Sequence, residues 1–154
     1  MLDALGTAKA LFWGYSMGGW IGFGIAKYAK ERIRALVIGG QHPYARNMAP
    51  LRQVVHRGIA HGGAAFVAGM EEMFGPEARQ DRPGLEDILP TLLMPCCLYA
   101  GELDPIHTEV EACSRIIPEV TFFSLLGLNH CEAFARSELV LPRVTAFLKA
   151  LNTP

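Results

Sequence analysis

The sequence predicts an α/β protein: a parallel sheet of about four strands, flanking helices and a short helical cap insertion over one sheet edge. Two observations carry this. Short, nearly uniform apolar runs alternate with helix-length patterns, as expected of strands buried on both faces, and each run ends in turn residues. With 154 residues, 51% apolar and 19% charged, the chain is long enough for one real core and too apolar for disorder. We read residues 1–154 as a single domain carrying a cap-like insertion at about 44–90.

The stretch Leu11-Phe12-Trp13-Gly14-Tyr15-Ser16-Met17-Gly18-Gly19 organises the rest. It reads as a strand over 10–15, a tight turn with a serine at its apex, and a helix from Met17 to about Lys30. Gly14 and Gly18 make a G-x-S-x-G pattern whose small residues leave room for a strained strand-to-helix turn. Trp20, Ile21, Phe23, Ile25 and Tyr28 leave that helix little polar face, so it is expected to be largely buried.

A charged connection, 31–34, leads to a second strand over 35–39, closed by Gln41-His42-Pro43. Residues 44–90 change character, with short helical patterns at 48–57, 62–73 and 84–92. A third strand, 96–100, ends in Gly101-Glu102-Leu103-Asp104-Pro105; a helix over 107–117 stops at Pro118; and a fourth strand, 120–125, runs into Gly127-Leu128-Asn129-His130. The final helix, 132–149, is expected to break or kink at Pro142.

A serine is a poor nucleophile until a base takes its proton, and the base needs a third group to fix its tautomer. Asp104 follows the third strand and His130 the fourth, and in parallel sheets active groups gather outside the carboxyl ends of strands. Ser16, Asp104 and His130 would project from that edge in the chain order Ser…Asp…His. Each has a plainer reading as well: a serine in a tight turn, an aspartate capping the next helix, a loop histidine. Glu102 is the runner-up acid, read as a solvated rim charge. His42, His56 and His107 lack partners at ligand spacing and read as surface or insertion residues, and Glu71-Glu72 as a solvated helix face.

Net charge is −1 with scattered basic residues, so neither a nucleic-acid footprint nor a basic membrane-binding face is expected. No apolar run has the length of a membrane span, and the first residues lack the pattern of a signal peptide. The four cysteines, Cys96, Cys97, Cys113 and Cys131, include no C-x-x-C pair, which points to reduced thiols and a cytoplasmic setting rather than a disulfide framework or zinc site. Cys131 beside His130 is read as a packing residue.

The segments GYSMGG, GELDP and GLNH resemble the C-terminal half of an α/β-hydrolase of the esterase, lactonase and epoxide-hydrolase-like superfamily, a partial α/β-hydrolase fold covering nearly the whole chain. The resemblance implies Ser16 as nucleophile, His130 as general base and Asp104 as its orienting carboxylate. It implies Met17 as the N–H donor that follows the nucleophile in an oxyanion hole. A serine at the elbow departs from the dehalogenase and epoxide-hydrolase branches, which use aspartate. The implied activity is hydrolysis of a small carboxylic ester or lactone through an acyl-enzyme, with no metal and no cofactor. The alternative is a non-catalytic or weakly active piece that serves as an assembly or binding module.

The family pattern places some four strands before the elbow, with a loop giving the second oxyanion N–H; these residues hold no counterpart to it. Losing one such donor costs about a hundred- to a thousandfold in turnover. His61-Gly62-Gly63 superficially resembles the family's His-Gly-rich oxyanion motif but lies after the elbow, so it reads as a helix-start turn. Without those strands the 10–15 strand becomes an edge with no charge or proline to blunt it, which predicts a homodimer through that strand. An antiparallel pairing would give one sheet of about eight strands.

Overall fold

The computed structural model describes residues 2–45 and 81–151. The chain divides into two compact units, one formed by Met1–Pro43 with Leu85–Pro154 and the other by Tyr44–Gly84. The expected helices at 48–57 and 62–73, and His56, His61–Gly63 and Glu71–Glu72, lie outside the described residues.

In the first unit the strands are β1 (Ala10–Tyr15), β2 (Ile33–Gly39), β3 (Cys96–Gly101) and β4 (Val120–Leu125). They form one parallel sheet in the order β1-β2-β3-β4. The two central strands are the most apolar, and apart from Arg34 their residues are buried. The helices are α1 (Met17–Ala29), α2 (His107–Ser114), α3 (His130–Ala135) and α4 (Ser137–Ala150). A short 3-10 segment at Glu86–Thr91 covers part of the stretch read as a helix over 84–92.

Strand periodicity assigns the two faces. Gly22 of α1 lies so close to the Phe12 and Ile38 side chains that a Cβ there would collide with both. His107 of α2 sets its ring edge against Phe122 on that same face. The opposite face holds a core of Val37, Cys97, Tyr99, Leu125, Ala133, Val140 and Val144, joining the sheet to α3 and α4. Both crossings bring side chains of the carboxyl strand ends to one rim.

Several expectations need correction. The final helix is two helices broken at Arg136, whose φ and ψ of −89° and 61° leave the helical region. The turn carrying His130 has its own N-cap, and α4 runs on through Pro142 at the loss of one backbone bond. α1 is not largely buried: Gly19, Gly22, Phe23 and Ala26 face the sheet, while Met17, Ile21 and Tyr28 are exposed. His42 is buried rather than on the surface, and Cys131 is exposed rather than packed. Cys96, Cys97 and Cys113 are buried and not joined in disulfides.

Candidate active site

β1 delivers Ser16 to the rim through a turn that a side chain at residue 14 would block. A Cβ on Gly14 would overlap the backbone of Gly18 and Gly19. Among the described residues Gly18, the other glycine of the pattern, has open space around it, whereas Gly19 is crowded by Gln41 and Ile38. The tight approach therefore falls on residues 14 and 19, not symmetrically on 14 and 18.

Ser16 has φ 52° and ψ −115°, and among the described residues it is the one non-glycine with positive φ. Such a conformation costs on the order of 1–3 kcal/mol and persists where its surroundings hold it. Here the Ser16 N–H donates to Gly39 O at 2.8 Å, and the Ser16 carbonyl accepts from Trp20 N–H at 3.1 Å. The buried Gln41 adds a third tie, its amide Nε2 donating to Ser16 O at 3.2 Å while its Oε1 accepts the His42 N–H. With Ser16 at the N-cap, the Met17 N–H belongs to the first helical turn, which has no carbonyl partner within the helix.

His130 opens α3 under a capping box. The Asn129 side chain accepts from Glu132 N–H, and Glu132 Oε2 accepts from Asn129 N–H. This fixes the first turn of a helix only six residues long. The loop before it passes so near the end of β3 that a Cβ on Gly101 would strike the Leu128 carbonyl.

The three side chains named from the sequence meet. His130 Nδ1 lies 2.6 Å from Asp104 Oδ2, and His130 Nε2 lies 3.0 Å from Ser16 Oγ. The Asp104 side chain is 2% exposed, so its hydrogen bond to the imidazole is shielded from water. Its other oxygen, Oδ1, accepts the Ile106 N–H at 3.1 Å, so the carboxylate orients the ring and holds the following turn at once. With Nδ1–H donated to Asp104, Nε2 is left as the acceptor for the serine hydroxyl. Glu102 points elsewhere: its Oε2 accepts the Gly127 N–H at 2.9 Å and ties the histidine loop from the exposed side.

Tyr15 is a site residue the sequence reading did not single out. Its ring lies 5.1 Å from that of His130, and its hydroxyl donates to the His130 carbonyl. Burial, then the charge of Asp104, pushes its phenol well above the usual tyrosine range, so it remains a donor at neutral pH. Gly40, at φ 55°, leaves the space that Tyr15 and His130 occupy. His107 is not isolated either: its Nε2 lies 2.6 Å from Ser124 Oγ. Among the described residues no group of three or more His, Cys, Asp or Glu side chains is placed to hold a metal ion. Among them, too, no helix is long and apolar enough to cross a membrane.

No protein-family model and no curated relative matches this sequence. Solved structures do match. A thermophilic esterase from Thermogutta terrifontis aligns with 99% of this chain and 69% of its own, at 22% identity and a TM-score of 0.77. A structure from a study of carboxylesterases of the thaumarchaeon Nitrososphaera gargenis aligns with 97% of this chain and 68% of its own, at 16% identity and a TM-score of 0.79. An enol-lactonase from Burkholderia xenovorans LB400 aligns with 96% and 68%, at 17% identity and a TM-score of 0.70. The chain thus has the α/β-hydrolase fold in part, spanning about two thirds of the length of these neighbours.

Proposed function

We propose that the chain is a serine hydrolase that cleaves small carboxylic esters or lactones through an acyl-enzyme. The observation that carries this reading is the line Asp104 Oδ2, His130, Ser16 Oγ, with the serine held on a strained turn at the head of a helix. The neighbours, which include an esterase and an enol-lactonase, support the substrate class. The three buried cysteines, none of them in a disulfide, support a reducing, cytoplasmic setting.

The steps follow from the geometry. Ser16 Oγ attacks the substrate carbonyl carbon as its proton passes to His130 Nε2, and Asp104 stabilises the imidazolium. Negative charge collects on the former carbonyl oxygen, where the Met17 N–H and the N-terminus of α1 face it. The tetrahedral species collapses, and the leaving alkoxide takes the proton from Nε2. Water then repeats the sequence on the acyl-serine, returning the acid and the free enzyme. Every proton transferred passes through His130 Nε2, from serine to leaving alkoxide and then from water back to serine.

The test combines turnover of p-nitrophenyl acetate with mass spectrometry after exposure to a fluorophosphonate. Wild-type protein is expected to turn over the ester and carry the label on Ser16; Ser16→Ala is expected to do neither while keeping its folded circular dichroism. Turnover that survives in Ser16→Ala, or a label on Cys131 instead, overturns the assignment. A folded wild type that shows neither label nor turnover overturns the hydrolase reading and leaves the binding-module alternative.

A further inference from the structure

Asp104 can orient the His130 imidazole only if its turn is held still against the strand that delivers His130. A reacting group works when its neighbours fix it to within about half an ångström. The first half of the turn is tied to β4 and the loop after it. Glu102 N–H donates to Leu125 O at 2.9 Å, Leu103 N–H donates to Leu128 O at 3.0 Å, and Glu102 Oε2 accepts from Gly127 N–H. These bonds all precede Asp104 in the chain. Past it, Ile106 N–H donates to Asp104 Oδ1 and His107 N–H to Asp104 O. Both lie within the turn, so they shape it without anchoring it to the sheet.

A side chain anchors this second half. His107 opens α2, and its Nε2 lies 2.6 Å from Ser124 Oγ on β4, in a half-buried setting where a hydrogen bond is stronger than in water. Ser124 stands directly before Leu125, which accepts the Glu102 N–H. Two consecutive residues of β4 therefore grip the acid turn from its two ends, with Asp104 between them. Phe122, two residues back on the same face of the strand, meets the His107 ring edge-on at 5.8 Å and 61° and fixes its direction. A serine hydroxyl both donates and accepts, so the bond holds in either tautomer of the imidazole. Six residues beyond Ser124 the same stretch of chain reaches His130.

We infer that His107 is a positioning residue: through Ser124 it fixes the far end of the acid turn to the strand that delivers His130, and so holds Asp104 Oδ2 at 2.6 Å from His130 Nδ1. A contact that only joined α2 to β4 would serve folding alone. This one closes a bracket around Asp104, and slack at either end lets the carboxylate swing away from the ring. The catalytic consequence rests on the hydrolase reading; the hold on Asp104 does not.

The experiment uses the whole chain. Ser124→Ala removes the hydroxyl, Ser124→Thr keeps one, and His107→Phe keeps a ring against Phe122 while losing the bond. Ser124→Ala and His107→Phe are expected to stay folded by circular dichroism. Each is expected to lower kcat on p-nitrophenyl acetate about tenfold at unchanged KM, within the hundredfold that a 1 Å misplacement can cost. Ser124→Thr is expected to recover most of the loss. If the pair acts through Asp104, Ser124→Ala lowers kcat no further in an Asp104→Asn background, as coupled residues behave. Equal fold losses in the two backgrounds overturn the positioning role and leave a contact that serves stability alone. A second readout needs no turnover: the downfield proton NMR signal of His130 Nδ1–H bonded to Asp104. It is expected in the wild type, to move upfield in Ser124→Ala and to return in Ser124→Thr. A signal unmoved by Ser124→Ala overturns the inference. A signal that moves as expected in a protein without turnover or serine label overturns the hydrolase reading, and the hold on Asp104 stands.

Discussion

The Tyr15 hydroxyl donates a 2.7 Å hydrogen bond to the backbone carbonyl of His130, and the Phe134 ring closes on Tyr15 at 5.3 Å. The residue immediately before the candidate nucleophile thus holds the residue that would take its proton, across a sequence separation of 115. Because the bond reaches the main chain of His130, it sets where the imidazole starts from without competing for either ring nitrogen. In the proposed hydrolase Tyr15 acts as a positioning residue, packed against the rings of His130 and Phe134.

Tyr15→Phe keeps the ring and removes the bond. Losing a net hydrogen bond of about 1 kcal/mol is expected to lower stability by that amount. If the same energy is lost from the transition state, kcat falls about fivefold with KM unchanged. Steady-state kinetics on p-nitrophenyl acetate alongside urea unfolding separates the effects. A rise in KM at constant kcat would show that Tyr15 contacts substrate instead.

Two acids near the histidine loop are expected to behave oppositely. Asp104→Asn presents the wrong partner to Nδ1 and favours the wrong imidazole tautomer, which by analogy with other triads costs about a thousandfold or more in kcat. Glu102→Gln keeps an oxygen for the Gly127 N–H, so its effect is expected to stay within about twofold. The reverse ranking in kcat would move the orienting carboxylate to Glu102.

Much of this arrangement was legible because local rules and the global fold agree. The apolar runs at 10–15, 35–39, 96–100 and 120–125 name the four strands, and Ser16, Asp104 and His130 follow the carboxyl ends of three of them. The break at Arg136 carries no proline or glycine to mark it in the sequence, whereas the start of the short helix before it does have a signal, the capping-box spacing of Asn129 and Glu132. The outer face of α1 was missed for a different reason. A helix apolar all round reads as buried, yet burial depends on neighbours, and the residues of α1 that are buried are those facing the sheet. The ties made by Tyr15 and Gln41 join residues far apart or carry no pattern of their own, so no periodicity announces them.

The adjacent thiols of β3 predict an alkaline weakness. Burial pushes Cys96 and Cys97 from 9.0 up to about 12, with Glu119 and the neighbouring thiol adding to the rise at Cys96. Unfolded chains therefore release these protons from pH 9, while the folded chain keeps them until about pH 12. Stability is full below pH 9 and falls as pH climbs through that window, by up to about 1.4 kcal/mol per pH unit for each thiol. Urea midpoints at pH 8 and pH 10.5 are expected to show the fall, and the double variant Cys96→Ala, Cys97→Ala to flatten it. A slope unchanged by the double variant would place the weakness elsewhere, with the raised phenols of Tyr15 and Tyr99 next in line.

The two glycines that frame Ser16 are expected to part company. A Cβ at Gly14 would press on the Gly18 carbonyl and the Gly19 nitrogen, and that backbone has nowhere to go. The turn is pinned by Ser16 N–H to Gly39 O and by Trp20 N–H to Ser16 O. Gly14→Ala must therefore open the turn, releasing the positive φ at Ser16 and taking the hydroxyl out of reach of His130 Nε2. A Cβ at Gly18 would meet none of the described residues within 4 Å, and Gly18 sits in the first turn of α1, where alanine is the better helix former by up to about 1 kcal/mol. Gly18→Ala is expected to hold or raise the melting temperature and to keep fluorophosphonate labelling of Ser16, while Gly14→Ala loses the label and several degrees of stability. Equal damage from both substitutions would show that space at residue 18 is needed by something other than the described residues.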